Sequence, residues 1–567
     1  MNGLTLLVIS VVVLALAYVL YGRYLARKWG VDPARKTPAR EFEDGMEYVP
    51  TPPAVVFGHE FASIAGAGPI NGPIIAAMFG WLPVLLWLLL GTVFFGAVHD
   101  FAALYTSVRN KGKSIGYVIE LYVGKAGKRF FLLFVWLFSI LIAGAFADIV
   151  AGTFEGSGAN GVAFPTNAKV ASTSSMFILA AIVLGFSIRK KKASDWTSGI
   201  IAVFLLIVCI ALGFFFPVYF SRSVWLYWIF GYIFAASVSP VWLLGQPRNY
   251  LNSFLLIATI IAAFIGIVFA RPAMLLPAFT GFEVNGTLLF PGLFITIACG
   301  AISGFHSMVA TGATSKQLNN ETYMLPVSYG AMLMETLVGV LALITVGSLA
   351  VGGKTPEGTP VMIFASGVSS FLTRLGLPVQ VSFTIVSLAV SSFVLTTLDT
   401  VARLGRMSFQ ELFTSEVDDG SRTEPAVTLL RRVMGSKAAA SAFTLIPAYL
   451  LAILGYETIW ALFGAANQLL AALTLIACML FLKKSKRAVF MLIIPTVLML
   501  IVTFSSLILT LTNKITKLGE GSFTIAGDGV QFVIAAVLLV LALMVAVSCT
   551  AKFLEDGSRN GAEWNAP

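Results

Sequence analysis

About fifteen apolar runs follow one another along this chain, most of them close to the 20 residues a helix needs to cross a bilayer, with polar loops between. That succession leaves few folds open. In lipid each backbone N–H and C=O must find a partner inside the protein, and runs of this length satisfy that need as helices. Only 11% of the 567 residues are charged and 58% are hydrophobic, whereas a soluble domain carries roughly 25% charged residues. The expected class is an all-α polytopic membrane protein with about fifteen transmembrane helices. The net charge of +10 does not point to nucleic acid, because the lysines and arginines sit in loops between apolar runs. Cys209, Cys299, Cys478 and Cys549 all lie in apolar runs without metal-ligand spacing, and read as small core residues.

Basic clusters orient the spans. The first span, Gly3 to about Tyr21, is followed by Arg23, Arg27, Lys28, Arg35, Lys36 and Arg40. This places that loop in the cytoplasm and the N-terminus outside. Alternation then puts the clusters at 109–113, 189–192 and 483–487 inside, together with the C-terminus. The chain divides into an N-terminal span with its inner loop (1–52), a first five-helix repeat (53–220), a second repeat of opposite orientation (225–398), a cytoplasmic polar segment (399–437) and C-terminal helices (438–567). Two such units, each opening with a discontinuous helix, give the LeuT-like 5+5 inverted-repeat core, with extra helices at both ends.

The discontinuities come from the residues. The second span contains His59, Glu60, Gly66, Gly68, Pro69, Asn71 and Pro73. Glycine and interior proline both weaken a helix, and irregular backbone at membrane depth survives only where protein or a water-filled cavity satisfies it. Ser237, Ser239 and Pro240 suggest a second break in the seventh span. Half-helix N-termini at such breaks attract an anionic substrate group. Gly66, Gly68, Pro69, Asn71, Ser237, Ser239 and Gly304 are therefore the expected substrate-binding positions. All three histidines, His59, His99 and His306, fall within predicted spans, with Glu60, Asp100 and Glu335 at comparable depth. Histidine and carboxylate groups inside a membrane carry protons in symporters. The same imidazoles could instead hold a transition metal, which would require three helices to converge. The hydroxyls that follow His306 offer a candidate Na⁺ site. Asp399 and Arg403, spaced i, i+4, suggest an ion pair at the inner surface or an inner gate. Asn467 and Gln468 put two amides inside a span, where amides serve as interhelical glue or as ligands. No phosphate-cradling loop, nucleophile elbow or metalloprotease pattern is present, so no enzyme is expected.

Five motifs recur in a known order: Phe57-Gly58-His59-Glu60-Phe61 with Ala65-Gly66-Ala67-Gly68-Pro69; Gly96-Ala97-Val98-His99-Asp100-Phe101; Gly300-Ala301-Ile302-Ser303-Gly304-Phe305-His306; Leu395-Thr396-Thr397-Leu398-Asp399; and Leu462-Phe463-Gly464-Ala465-Ala466-Asn467-Gln468. Together they resemble the carbon starvation protein A (CstA) family, over about 21–468. Some members read Gly-His-His-Phe where this chain has Glu60. The resemblance implies a transporter of the prokaryotic cytoplasmic membrane, related to the amino acid–polyamine–organocation superfamily and induced when carbon runs out. It implies small peptides or pyruvate as substrate. With the titratable groups above, the expected function is proton-coupled import, and the alternative is a metal-binding membrane protein or transporter using His59, His99 and His306.

Overall fold

The computed structural model describes residues 2–45, 47–158, 161–190, 195–240, 243–413 and 433–563. The basic cluster at 189–192 and much of the 399–437 polar segment lie outside the residues whose side chains are described.

Apolar composition and capping residues produce the following helices. The first is α1 (Gly3–Trp29), closed by Gly30 in a left-handed conformation. A broken pair follows, α2 (Pro53–Ile64) and α3 (Gly68–Phe79). Next come α4 (Trp81–Arg109), the short surface helix α5 (Ile115–Tyr122), α6 (Lys125–Phe154), α7 (Pro165–Lys190), α8 (Asp195–Phe215), α9 (Arg222–Val238) and α10 (Gly245–Ala270). A loop with a two-stranded hairpin, β1 (Glu283–Val284) and β2 (Thr287–Leu288), leads to a second broken pair. These are α11 (Leu289–Thr296) and α12 (Gly304–Gly312). The chain continues through α13 (Glu321–Leu349), α14 (Pro360–Thr373), α15 (Val379–Phe413), α16 (Lys437–Ile453), α17 (Tyr456–Lys484), α18 (Phe490–Gly519) and α19 (Ile525–Phe553).

Ten of these helices are long and apolar enough to cross a membrane, eleven when the bent α2–α3 pair counts as one span. The shortfall from about fifteen has a physical origin: α11–α12 is split, α9 has only 17 residues, and Gly199–Phe215 and Lys437–Ile453 are apolar but short. Helix α17 sits at the centre, buried throughout its apolar stretch, whereas only about a third of the comparable windows of α1, α18 and α19 is buried. A helix apolar all round belongs in the middle of a bundle, and one whose apolar residues stay exposed faces lipid.

Helix α2 begins with Pro53, whose missing N–H costs nothing at a first helical position. It stops where Ala65 leaves helical geometry (ψ 60°). Pro69 then starts α3, and the two halves meet at 45°. The anticipated break at Ser237–Pro240 is different in kind. Helix α9 ends at Val238 and α10 begins at Gly245, so the Ser-Pro sequence closes a helix instead of interrupting one. The second interrupted span is 289–312, where Ile297 to Ser303 run unwound between α11 and α12. Close approach demands glycine at the junction. A Cβ on Gly68 would lie 2.5 Å from the Cys299 sulfur, and one on Gly304 would lie 2.5 Å from backbone atoms of α17. The breaks of α2–α3 and α11–α12 therefore pack against each other.

Candidate functional site

Four elements converge beside the two breaks. The C-terminal half of α2 carries Glu60, α4 carries His99 and Asp100 directly after a π-helical stretch (Trp87–Gly96), the first turn of α12 carries His306, and α13 carries Glu335. π-Helical insertions re-aim the side chains that follow them and concentrate at functional sites. Glu60, His99, Asp100, His306 and Glu335 are all buried.

Asp100 is the hub. Its Oδ1 lies 2.8 Å from Nδ1 of His99, and its Oδ2 lies 2.9 Å from Nδ1 of His306. On the far side of the same ring, His306 Nε2 lies 3.1 Å from Glu335 Oε2, outside good hydrogen-bond alignment. Glu60 accepts a hydrogen bond from the Thr314 hydroxyl.

Counting protons defines what this chain of contacts can do. A neutral imidazole donates from one nitrogen only. If His306 donates to Asp100 through Nδ1, a hydrogen at Nε2–Glu335 requires either a second proton on the ring or a proton on Glu335. That pair therefore has a place for one exchangeable proton. Several buried atoms here lack a protein partner: His99 Nε2, Glu60 Oε1 and Glu335 Oε1. Such atoms are costly unless water, an ion or a proton completes them.

The unwound residues 297–303 are stitched on all sides. Thr92 and Thr336 hydroxyls both donate to Gly300 O, and the Trp87 indole N–H donates to Ile297 O. Asn467 Oδ1 accepts from the Phe305 N–H (3.0 Å) and the Ser303 hydroxyl (3.2 Å), while its amide nitrogen donates to the Cys299 sulfur at 3.3 Å. Gln468 donates to Phe294 O. The two amides that sequence left open between glue and ligand are glue for this break.

A cavity of about 810 Å³ opens at the end of the bundle where α6 meets α7 and α16 meets α17. Asn71 lines it, from the first turns of α3, along with Asp148, Glu155, Arg222 and Glu457. Asn71 is buried, and neither atom of its side-chain amide has a hydrogen-bond partner.

The remaining expected residues fall elsewhere. His59 is half-buried on α2, and its backbone carbonyl accepts from Ser63. Among the described residues no group of three His, Cys, Asp or Glu side chains is placed to hold a metal ion; His99 and His306 bond opposite oxygens of Asp100. Ser237 is buried and bonded to Ala402 O and the Ser441 hydroxyl, away from both breaks in the bonding network. Ser239 supplies its carbonyl to Arg403. The i, i+4 pair of Asp399 and Arg403 does not form. Asp399 Oδ2 instead takes Arg248 (3.0 Å) and the Tyr232 hydroxyl (2.7 Å), and Arg403 caps the C-terminal carbonyls of α9 at Ala236 and Ser239. Arg248 is fully buried. Nothing in the sequence sets Arg248 apart: it stands in the first turn of α10, directly after Pro247.

A bundle with ten or more spans, two interrupted helices in contact and a buried chain of carboxylates and imidazoles defines a polytopic membrane transport protein. Comparison with known proteins agrees. The chain belongs to the carbon starvation protein CstA family, which it matches over residues 2–356 and 353–506. It is 33% identical to the peptide transporter CstA of Escherichia coli over 89% of this chain and 80% of that protein. It is 35% identical to the peptide transporter CstA of Bacillus subtilis, over 84% of each chain. The pyruvate/proton symporter BtsT of Escherichia coli is 32% identical over 93% of this chain and 84% of that one. Among solved structures, a mutant manganese transporter of Eremococcus coleocola aligns with 90% of this chain and 99% of its own at 10% identity, with a TM-score of 0.45.

Proposed function

We propose that this protein is a proton-coupled secondary importer of small peptides or of a small carboxylate such as pyruvate, serving the cell when carbon is scarce. The single observation that carries the reading is the buried contact chain Asp100–His306–Glu335 beside the contact of the two helix breaks. In this reading the proton resides between His306 and Glu335, with Glu60 and His99 as flanking stations. Substrate enters by the cavity that reaches Asn71 and meets the N-terminus of α3 at Gly66, Gly68 and Pro69, while Gly304 keeps α12 close to α17. The peptide transporters and the pyruvate/proton symporter among its relatives support both substrate classes and the proton.

Two discontinuous helices in contact support a LeuT-like inverted-repeat core, with α11–α12 as the counterpart of α2–α3. The positive-inside pattern supports a cytoplasmic membrane location with the N-terminus outside, so that the cavity faces outward. The Tyr232–Arg248–Asp399 cluster, with Arg403 on the end of α9, then lies toward the cytoplasm as an inner gate. Uptake of alanylalanine and of pyruvate into proteoliposomes, with and without an inward proton gradient, tests the proposal. Gradient-stimulated uptake of either supports it, and no uptake of either under both conditions refutes it.

A further inference from the structure

Charged side chains of both signs line the cavity beside Asn71. Arg222, at the start of α9, lines it with its side chain 44% exposed, and holds Asp148 through both Nε and Nη2. Asp148 is buried and uses its other oxygen to accept the Tyr456 N–H at 2.8 Å. The guanidinium is thus fixed from behind by a carboxylate that is itself pinned to the first residue of α17. Glu155 and Glu457 line the same space. At its inner limit stands Asn71, whose buried amide has a free donor and a free acceptor. A peptide bond offers the complementary acceptor and donor, and a carboxylate matches the planar fork of an arginine. The volume lies within the range of pockets that hold drug-sized ligands, more room than a three-carbon acid fills.

We infer that this cavity is a binding site for a zwitterionic solute of two or three amino-acid residues, with Arg222 receiving its carboxylate in competition with Asp148, Glu155 or Glu457 receiving its ammonium, and Asn71 bonding its backbone amide. The inference rests on the transport reading above and specifies the substrate's chemistry within it.

Calorimetric titration of the purified full-length protein tests it without requiring transport. The probes are alanylalanine, its N-acetyl derivative, its C-terminal amide, and pyruvate. Each blocked form is expected to bind roughly tenfold or more weakly than alanylalanine, because each loses a charge-assisted hydrogen bond. In Arg222→Gln the free peptide and its amide are expected to bind alike, while the preference over the N-acetyl form persists. Arg222→Lys, which keeps the charge that Asp148 needs, is expected to retain a reduced preference for the free carboxylate, and serves if the glutamine variant does not fold. Equal binding of free and blocked peptides, unchanged discrimination in both Arg222 variants, or no binding of alanylalanine at millimolar concentration overturns the site. Tight pyruvate binding without peptide binding also overturns it, while leaving proton-coupled transport of a small carboxylate intact.

Discussion

The two broken helices are held in opposite ways. At the α11–α12 break, Trp87, Thr92 and Thr336 bond the unwound backbone, Asn467 bonds the Phe305 N–H in the first turn of α12, and Gln468 bonds the end of α11 just before it. At the α2–α3 break, among the described residues, residues 64–67 receive no side-chain hydrogen bond, and Asn71 just beyond keeps its amide unpaired. One break is a fixed scaffold. The other has an unpaired amide at Asn71 and few bonds to lose if α2 and α3 move relative to each other. Local stability follows such bonding, and parts that must move are drawn from its weakly bonded end.

The largest effect expected from this contrast is at Asn467. Asn467→Ala removes the acceptor for Phe305 and Ser303; it leaves the Phe305 N–H buried without a partner, at about 1–3 kcal/mol, and the Ser303 hydroxyl with only the Cys299 sulfur. A marked fall in melting temperature is expected, read by thermal unfolding in detergent. Asn71→Ala, in the other break, removes no bond and is expected to shift the melting temperature little while impairing peptide binding. Equal destabilisation by the two substitutions would break the comparison. Arg248→Gln, outside the two breaks, is a larger perturbation still. It leaves Asp399 buried beside the Tyr232 hydroxyl alone, and loss of one partner of a buried pair costs about 3–5 kcal/mol. Smaller is Gly304→Ala, where overpacking against the α17 backbone is expected to cost about 1–3 kcal/mol, again by thermal unfolding.

The sequence made the helical class and most span positions legible, because long apolar runs between basic loops admit little else. The α2–α3 break was legible too, since Gly66, Gly68, Pro69 and Pro73 are all poor helix interior residues. The second break was misplaced for the same reason inverted. Ser237–Pro240 carries the obvious breaker but ends a helix, whereas 297–303 unwinds around Cys299 and Gly300 because Trp87, Thr92 and Asn467, distant in sequence, bond the carbonyls of the stretch and the first turn of the helix after it. The titratable cluster was half legible. Depth marked His99, Asp100, His306 and Glu335, but nothing in the spacing showed that Asp100 binds both imidazoles while His59 stays apart. The Asp399 partner was misread because i, i+4 neighbours ignore tertiary competitors, and Arg248 from another helix reaches the carboxylate first.

On the proposed function, the proton that drives uptake sits on the Asp100–His306–Glu335 chain. Its most direct test records proton entry and alanylalanine or pyruvate uptake together in proteoliposomes, comparing the native protein with Glu335→Gln. The native protein is expected to move protons only with substrate, and the variant to lose gradient-driven uptake while still exchanging substrate across the membrane. Undiminished proton movement coupled to uptake in Glu335→Gln would contradict it.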